Sequence, residues 1–182
     1  MSLKGKLLVA ETTAYGDSFF SRSVILITED HEDQIVGFIL NSPKELTLQD
    51  VFPEAKSNFI LFTGGPVEQD NLYFLHNLDE LKDKSVSITE SVFWGADFNS
   101  LAVLLEEKQL MRNQLRFFLG YSGWTKSQLE NEIQEKYWTL IDNPFGDKLL
   151  RISPNELWKE LMKLLGDEHL LWANAPTDPI LN

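Results

Sequence analysis

In the first half of the chain apolar residues come in short runs between polar turns, and in the second half they come at helical spacing. Residues 6–10, 23–28 and 35–40 are rich in Val, Ile, Leu and Phe and are bounded by polar positions, the pattern of buried strands. Between the second and third lies Glu29-Asp30-His31-Glu32-Asp33-Gln34, all polar, which predicts a hairpin tip. Asn41-Ser42-Pro43 ends the third strand, because proline cannot donate to a ladder. Residues 47–55 read as a short helix or turn interrupted by Pro53. Residues 59–63, 72–76 and 86–89 supply three more strands, the last with strict alternation.

In the second half, Asp97 caps a helix running to about residue 108, with Leu101, Leu104 and Leu105 on its buried face. Residues 116–120 read as an aromatic-rich strand. Thr125-Lys126-Ser127-Gln128 has the spacing of a capping box, and its helix places Leu129, Ile133 and Tyr137 in one stripe. Residues 137–141 form the next strand. Ser153-Pro154-Asn155-Glu156 is a second capping box with proline at the first helical position. That helix ends at Gly166 and buries Leu157, Trp158, Leu161, Met162, Leu164 and Leu165. In the tail, 167–182, Leu170, Leu171 and Trp172 call for burial, so part of it is expected to pack back on the body.

No linker or internal repeat interrupts the 182 residues, which suit one domain spanning 1–182. Strands and helices do not alternate regularly, which predicts an α+β fold rather than a doubly wound sheet. The chain has no cysteine, so thiolate chemistry, disulfides and cysteine-type metal sites are excluded. Its net charge is −12, with both halves acidic and no cluster of Lys and Arg. Phosphate backbones need such clusters, so direct nucleic-acid binding is disfavoured, and an acidic surface repels anionic lipid. The apolar run at the N-terminus is too short for a signal peptide, and no stretch approaches a membrane span, so a cytoplasmic protein is expected.

Candidate chemistry is sparse. His31, His76 and His169 stand apart, without metal-ligand spacing, so no metal site and no cofactor follow. Ser122 stands between Tyr121 and Gly123 but outside a G-x-S-x-G elbow, so it is not read as a nucleophile. Gly120-Tyr121-Ser122-Gly123-Trp124-Thr125 looks like a loop between a strand and a helix N-terminus, where amides favour anions. Tight turning by its glycines explains it as well. Thr63-Gly64-Gly65-Pro66-Val67 has the same two readings. In Asp17-Ser18-Phe19-Phe20-Ser21-Arg22-Ser23, Asp17 and Arg22 can pair while the phenylalanines plug the core.

Five segments, in this order and spacing, resemble one family: Asp17-x-x-Phe20-x-Arg22-Ser23-Val24; Gly37-Phe38-Ile39-Leu40-Asn41-x-Pro43; Gly64-Gly65-Pro66-Val67; Leu75-His76; and Gly120-Tyr121-Ser122-Gly123-Trp124 followed by Gln128-Leu129-Glu130-x-Glu132 and Trp138. The chain is similar to the YqgE/AlgH family of bacterial proteins over about residues 5–166. The resemblance implies a compact α+β fold whose mixed, largely antiparallel sheet curls into a pseudo-barrel flanked by about three to four helices. It implies no agreed catalytic residues, and some members of the family are described as transcriptional regulators. Glu11-Thr12-Thr13 departs from the more apolar, proline-containing stretch of many relatives.

The leading expectation is a non-catalytic binding or regulatory protein that engages another protein or a small molecule. Its candidate ligand-binding residues are Arg22, Asn41, Gly64, Gly65, Gly120 and Gly123. The alternatives are an enzyme whose site is assembled from Arg22, Asn41 and a histidine, and a transcriptional regulator that acts without touching DNA.

Overall fold

The computed structural model describes residues 2–11, 19–55, 57–95, 97–107, 110–166 and 168–173. Strands β1 (Leu7–Ala10), β2 (Val24–His31) and β3 (Gln34–Ile39) form an antiparallel meander, with β10 (Trp138–Ile141) on the outer edge of β1. β3 pairs with the C-terminal part of β9 (Leu115–Thr125), Gln34 opposite Thr125 and Gly37 opposite Ser122. The N-terminal part of β9 belongs to a second group of strands. There it runs antiparallel to β6 (Val67–His76) and parallel to β5 (Ile60–Thr63). β4 (Pro43–Thr47) pairs with β5, and the two-residue strands β7 (Val86–Ser87) and β8 (Phe93–Trp94) extend the edge beyond β6. The resulting ten-stranded sheet curls through β9 and stays open between β10 and β7.

Alternation along the strands shows why it curls. Leu7, Val9, Val24, Leu26, Phe38 and Leu40 face a core shared with Phe62, Leu75 and Phe118 of the second group. Helix α4 (Pro154–Leu165) closes that core with Leu157, Trp158, Leu161 and Met162. The opposite face of the meander, Leu8, Ala10, Ile25, Ile27, Ile35 and Ile39, packs with Trp124, Trp138 and Leu129 of α3 (Lys126–Gln134). With both faces covered, β1 and β2 read as continuous apolar runs. The outer face of the second group, including Leu61, Phe74, Leu115 and Phe117, packs on Leu101, Leu104 and Leu105 of α2 (Phe98–Glu107). Two short helices, α1 (Leu48–Val51) and α5 (Glu168–Ala173), complete the α+β fold, in which no described helix is long and apolar enough to cross a membrane.

Several local expectations change. The polar tip at 29–34 shrinks to Glu32 and Asp33, because Glu29, Asp30 and His31 continue β2 opposite Val36, Ile35 and Gln34. Backbone pairing does not require apolar side chains. Pro43 ends one strand but opens another, β4, at the first-residue position where a missing donor is tolerated. Residues 120–125 are not a loop. They are the second part of the eleven-residue β9, whose ladder to β3 the sheet requires. At α3 only half the capping box forms: Thr125 Oγ1 accepts from Gln128 N at 3.1 Å, while the Gln128 side chain turns forward to Glu132. Tyr137 falls beyond α3 and is 40% exposed. Ser153 makes no side-chain cap bond, and Leu164 faces solvent. In the tail, α5 packs on α4 and buries Ala173, leaving Leu171 77% exposed and Leu170 and Trp172 nearly half exposed. Residues 174–182 and Asp17 lie outside the described residues.

Candidate functional site

The glycines singled out from sequence hold the two groups of strands together. Gly64 N donates to Leu119 O at 2.9 Å, and Gly64 O accepts from Ile39 N at 3.0 Å and from Ser122 Oγ at 3.1 Å. β3, β5 and β9 therefore meet at one peptide. A Cβ on Gly64 would stand 2.1 Å from Gly120 O, and one on Gly65 2.1 Å from the Tyr121 carbonyl, so the backbones touch where side chains ordinarily separate them. Gly120 has φ +71° and meets Val67 O and Gly65 O in the same way. Backbone packing accounts for Gly64, Gly65 and Gly120, and Ser122 is fully buried with its hydroxyl committed to this junction.

Arg22 and Asn41 do come together, but through the backbone. Asn41 Nδ2 donates to Arg22 O at 2.8 Å and its Oδ1 accepts from Val24 N at 2.8 Å, which braces Arg22 at φ 55°, unusual for a residue with a side chain. The Arg22 guanidinium lies 5.1 Å from the centre of a Trp158 ring. The histidines are elsewhere. His31 caps the exposed end of β2, and His169 on α5 sits 3.1 Å from Glu11. His76 is fully buried; its Nδ1 accepts from Leu78 N at 3.2 Å, which fixes the proton on Nε2, facing Ser85 Oγ at 2.8 Å and Gly95 O at 3.0 Å. Burial lowers its pKa below 6.5, so the ring is a neutral brace. None of the three hydrogen-bonds to Asn41.

What the fold does assemble is an aromatic cleft of about 390 Å³. Phe20, Pro66, Gly123, Trp124, Gln128, Glu132 and Trp138 line it, seven residues drawn from three of the five signature segments. Glu135 and Tyr137 complete the rim. Phe20 packs edge-on against Trp138 with ring centres 5.4 Å apart, and Trp138 edge-on against Trp124 at 6.1 Å. Both indoles are at least nine-tenths buried, and both donate to the same oxygen, Glu132 Oε2, at 2.9 Å and 2.8 Å. Glu132 Oε1 accepts from Gln128 Nε2 at 2.8 Å. One carboxylate thereby fixes two rings and a side-chain amide. At Gly123 a Cβ would stand 3.3 Å from Tyr121 Cε2, a tight contact that the Tyr121 ring would have to relieve.

Among the described residues that line the cleft no nucleophile stands beside a base, and among the described residues no group of His, Asp and Glu is placed to hold a metal ion. Of the sequence candidates only Gly123 lies in the cleft. Trp124, Glu132 and Trp138 all stand in the fifth signature segment, but nothing in the sequence joins them as a unit.

A UPF0301 protein of Cytophaga hutchinsonii is 40% identical over 185 residues, covering all of both chains, and one of Parabacteroides distasonis is 32% identical over all of this chain and 92% of its own. The fold is similar to a crystal structure of a Corynebacterium diphtheriae protein, with TM-score 0.77 at 22% identity over 96% of this chain and 93% of that one. It is also similar to the solution structure of the AlgH protein from Pseudomonas aeruginosa, with TM-score 0.73 at 22% identity over 97% and 95%. The AlgH-like family, DUF179, matches residues 7–170, and the chain belongs to that family.

Proposed function

We propose that the protein is a non-catalytic binding protein whose aromatic cleft receives a basic side chain from a protein partner. The observation that carries this reading is the composition of the cleft: ring faces and edges from Phe20, Trp124, Tyr137 and Trp138 beside the carboxylates of Glu132 and Glu135, with no cation among the described lining residues. A guanidinium or ammonium gains from both, through the ring quadrupole and through charge-assisted bonds to a carboxylate. The net charge of −12 steers such a partner inward and opposes DNA. A regulator working through protein contact rather than through DNA fits the same reading.

Titration with N-acetyl-arginine methyl ester, followed through the indole N–H resonances of Trp124 and Trp138, tests it. Both signals should move together and saturate in the millimolar range, about 4 kcal/mol for a single side chain. A neutral analogue, N-acetyl-norleucine methyl ester, should leave them in place. Indoles that ignore the arginine ester, or follow both esters equally, would sink the proposal.

A further inference from the structure

The chain has four arginines, Arg22, Arg112, Arg116 and Arg151, and three of them line one pocket of about 230 Å³. It lies at the other end of β9 from the aromatic cleft. Arg116 projects from β9 and is only 5% exposed, in the same β-strand as the apolar Leu115 and Phe117. Its Nη1 donates to Leu40 O at 2.9 Å and its Nη2 to Leu150 O at 3.1 Å, and its guanidinium carbon is 4.9 Å from the centre of the Phe62 ring. Those carbonyls take two of five N–H donors. Burial brings its pKa down to about 10, so it remains charged at neutral pH. Arg112 precedes β9, and Arg151 ends a 3₁₀ turn, Gly146–Arg151; both are exposed.

Among the described residues no acidic side chain pairs with Arg112, Arg116 or Arg151, and none lines the pocket. In a chain with 28 acidic residues and 16 basic ones, three cations together without a counter-charge are not the product of average composition. A buried cation that meets carbonyls and a ring but no carboxylate lowers stability unless an anion offsets its desolvation. α4 begins at the rim with Pro154 and adds the positive end of its dipole. Asn113 and Ser153 add polar groups, and the other walls, Phe59, Ile60, Phe62, Leu115, Leu150 and Ile152, are apolar.

We propose that this pocket binds a small phosphomonoester, its phosphate held by Arg112, Arg116 and Arg151 and its organic body seated against Phe59, Ile60 and Phe62. A phosphomonoester carries about −1.5 to −2 charges at neutral pH, a closer match to three cations than one carboxylate. Guanidinium groups also meet phosphate oxygens in pairs.

Calorimetric titration of the full chain with phenyl phosphate, inorganic phosphate, benzoate and benzyl alcohol tests the assignment. Phenyl phosphate should bind with a dissociation constant of about 1 mM or below. Inorganic phosphate should bind roughly 10-fold more weakly for want of apolar contact, benzoate more weakly than phenyl phosphate, and benzyl alcohol not measurably. Since Arg112 and Arg151 are exposed, the R112Q/R151Q double variant should keep its melting temperature yet lose roughly 100-fold in phenyl phosphate affinity. In the wild type the Arg116 Nε–H resonance should shift on binding. No saturable binding, equal binding by the double variant, or benzoate binding as tightly as phenyl phosphate would each overturn the proposal.

Discussion

The aromatic cleft and the arginine pocket stand along the same strand, β9, with Trp124 in one and Arg116 in the other, eight residues or roughly 25 Å apart. Both contain well-buried polar groups, but they treat them in opposite ways. In the cleft, the two indole N–H groups and the Gln128 amide are all answered by Glu132. In the pocket, Arg116 is answered by two carbonyls and the Phe62 ring and, among the described residues, by no opposite charge. A satisfied buried network is part of what holds the fold, whereas an unanswered buried charge weakens it. The contrast separates groups the fold needs from groups it merely tolerates.

Gly64→Ala should have the largest effect, because it strikes the segment common to both regions. Ile60 and Phe62 of β5 line the pocket and Pro66 lines the cleft, with Gly64 between them. The added Cβ would press on the backbone of Gly120 at 2.1 Å, so a loss of more than about 4 kcal/mol is expected. Little folded protein should remain by circular dichroism, and a variant with a normal urea midpoint would contradict the three-way junction.

Glu132→Ala and Arg116→Met compare the regions directly. The first leaves two buried indole donors without an acceptor and should cost about 2–4 kcal/mol in urea unfolding. The second removes an uncompensated charge as well as two hydrogen bonds, so the terms oppose and the net change should stay within about 1 kcal/mol. Equal losses in the two variants would erase the distinction between a satisfied buried network and an unpaired buried charge.

The smallest expected effect concerns His76, which belongs to neither region. Its folded pKa is depressed by burial, so the fold favours the neutral ring and the unfolded chain takes up a proton more readily. That stability is complete above pH 6.5 and declines as the pH falls from there through the depressed folded value. The urea midpoint should therefore be lower at pH 5.5 than at pH 7.5, and His76→Asn should flatten that part of the profile.

Much of this fold is legible in the apolar pattern. β1, β2, β3, β5 and β10 lie within a residue or a few of where their runs predict them, and Asp97 caps α2 by accepting from Asn99 N and Ser100 N. The misreadings share a cause. Gly120 and Gly123 suggest a turn because glycine usually permits one, yet here a positive φ at Gly120 lets a continuous strand pass from one group of strands to the next. Pro43 marks both an end and a beginning, and only pairing with β5 discloses the second. Arg116 left a trace, as a charge set in the apolar run Leu115-Arg116-Phe117-Phe118. Arg112 and Arg151 left none, since 39 positions separate them.

The order of signature segments and the spacing of apolar residues determined by themselves the family, the α+β class and most of the secondary structure. Those are properties of local backbone preference and burial period, which adjacent residues encode. The tertiary structure alone decided that Trp124, Glu132 and Trp138 share one hydrogen-bonded centre with Phe20, and that three scattered arginines face one hollow. Electrostatic and packing partners are chosen by distance in space, and a curled sheet brings together residues that the chain keeps more than a hundred positions apart.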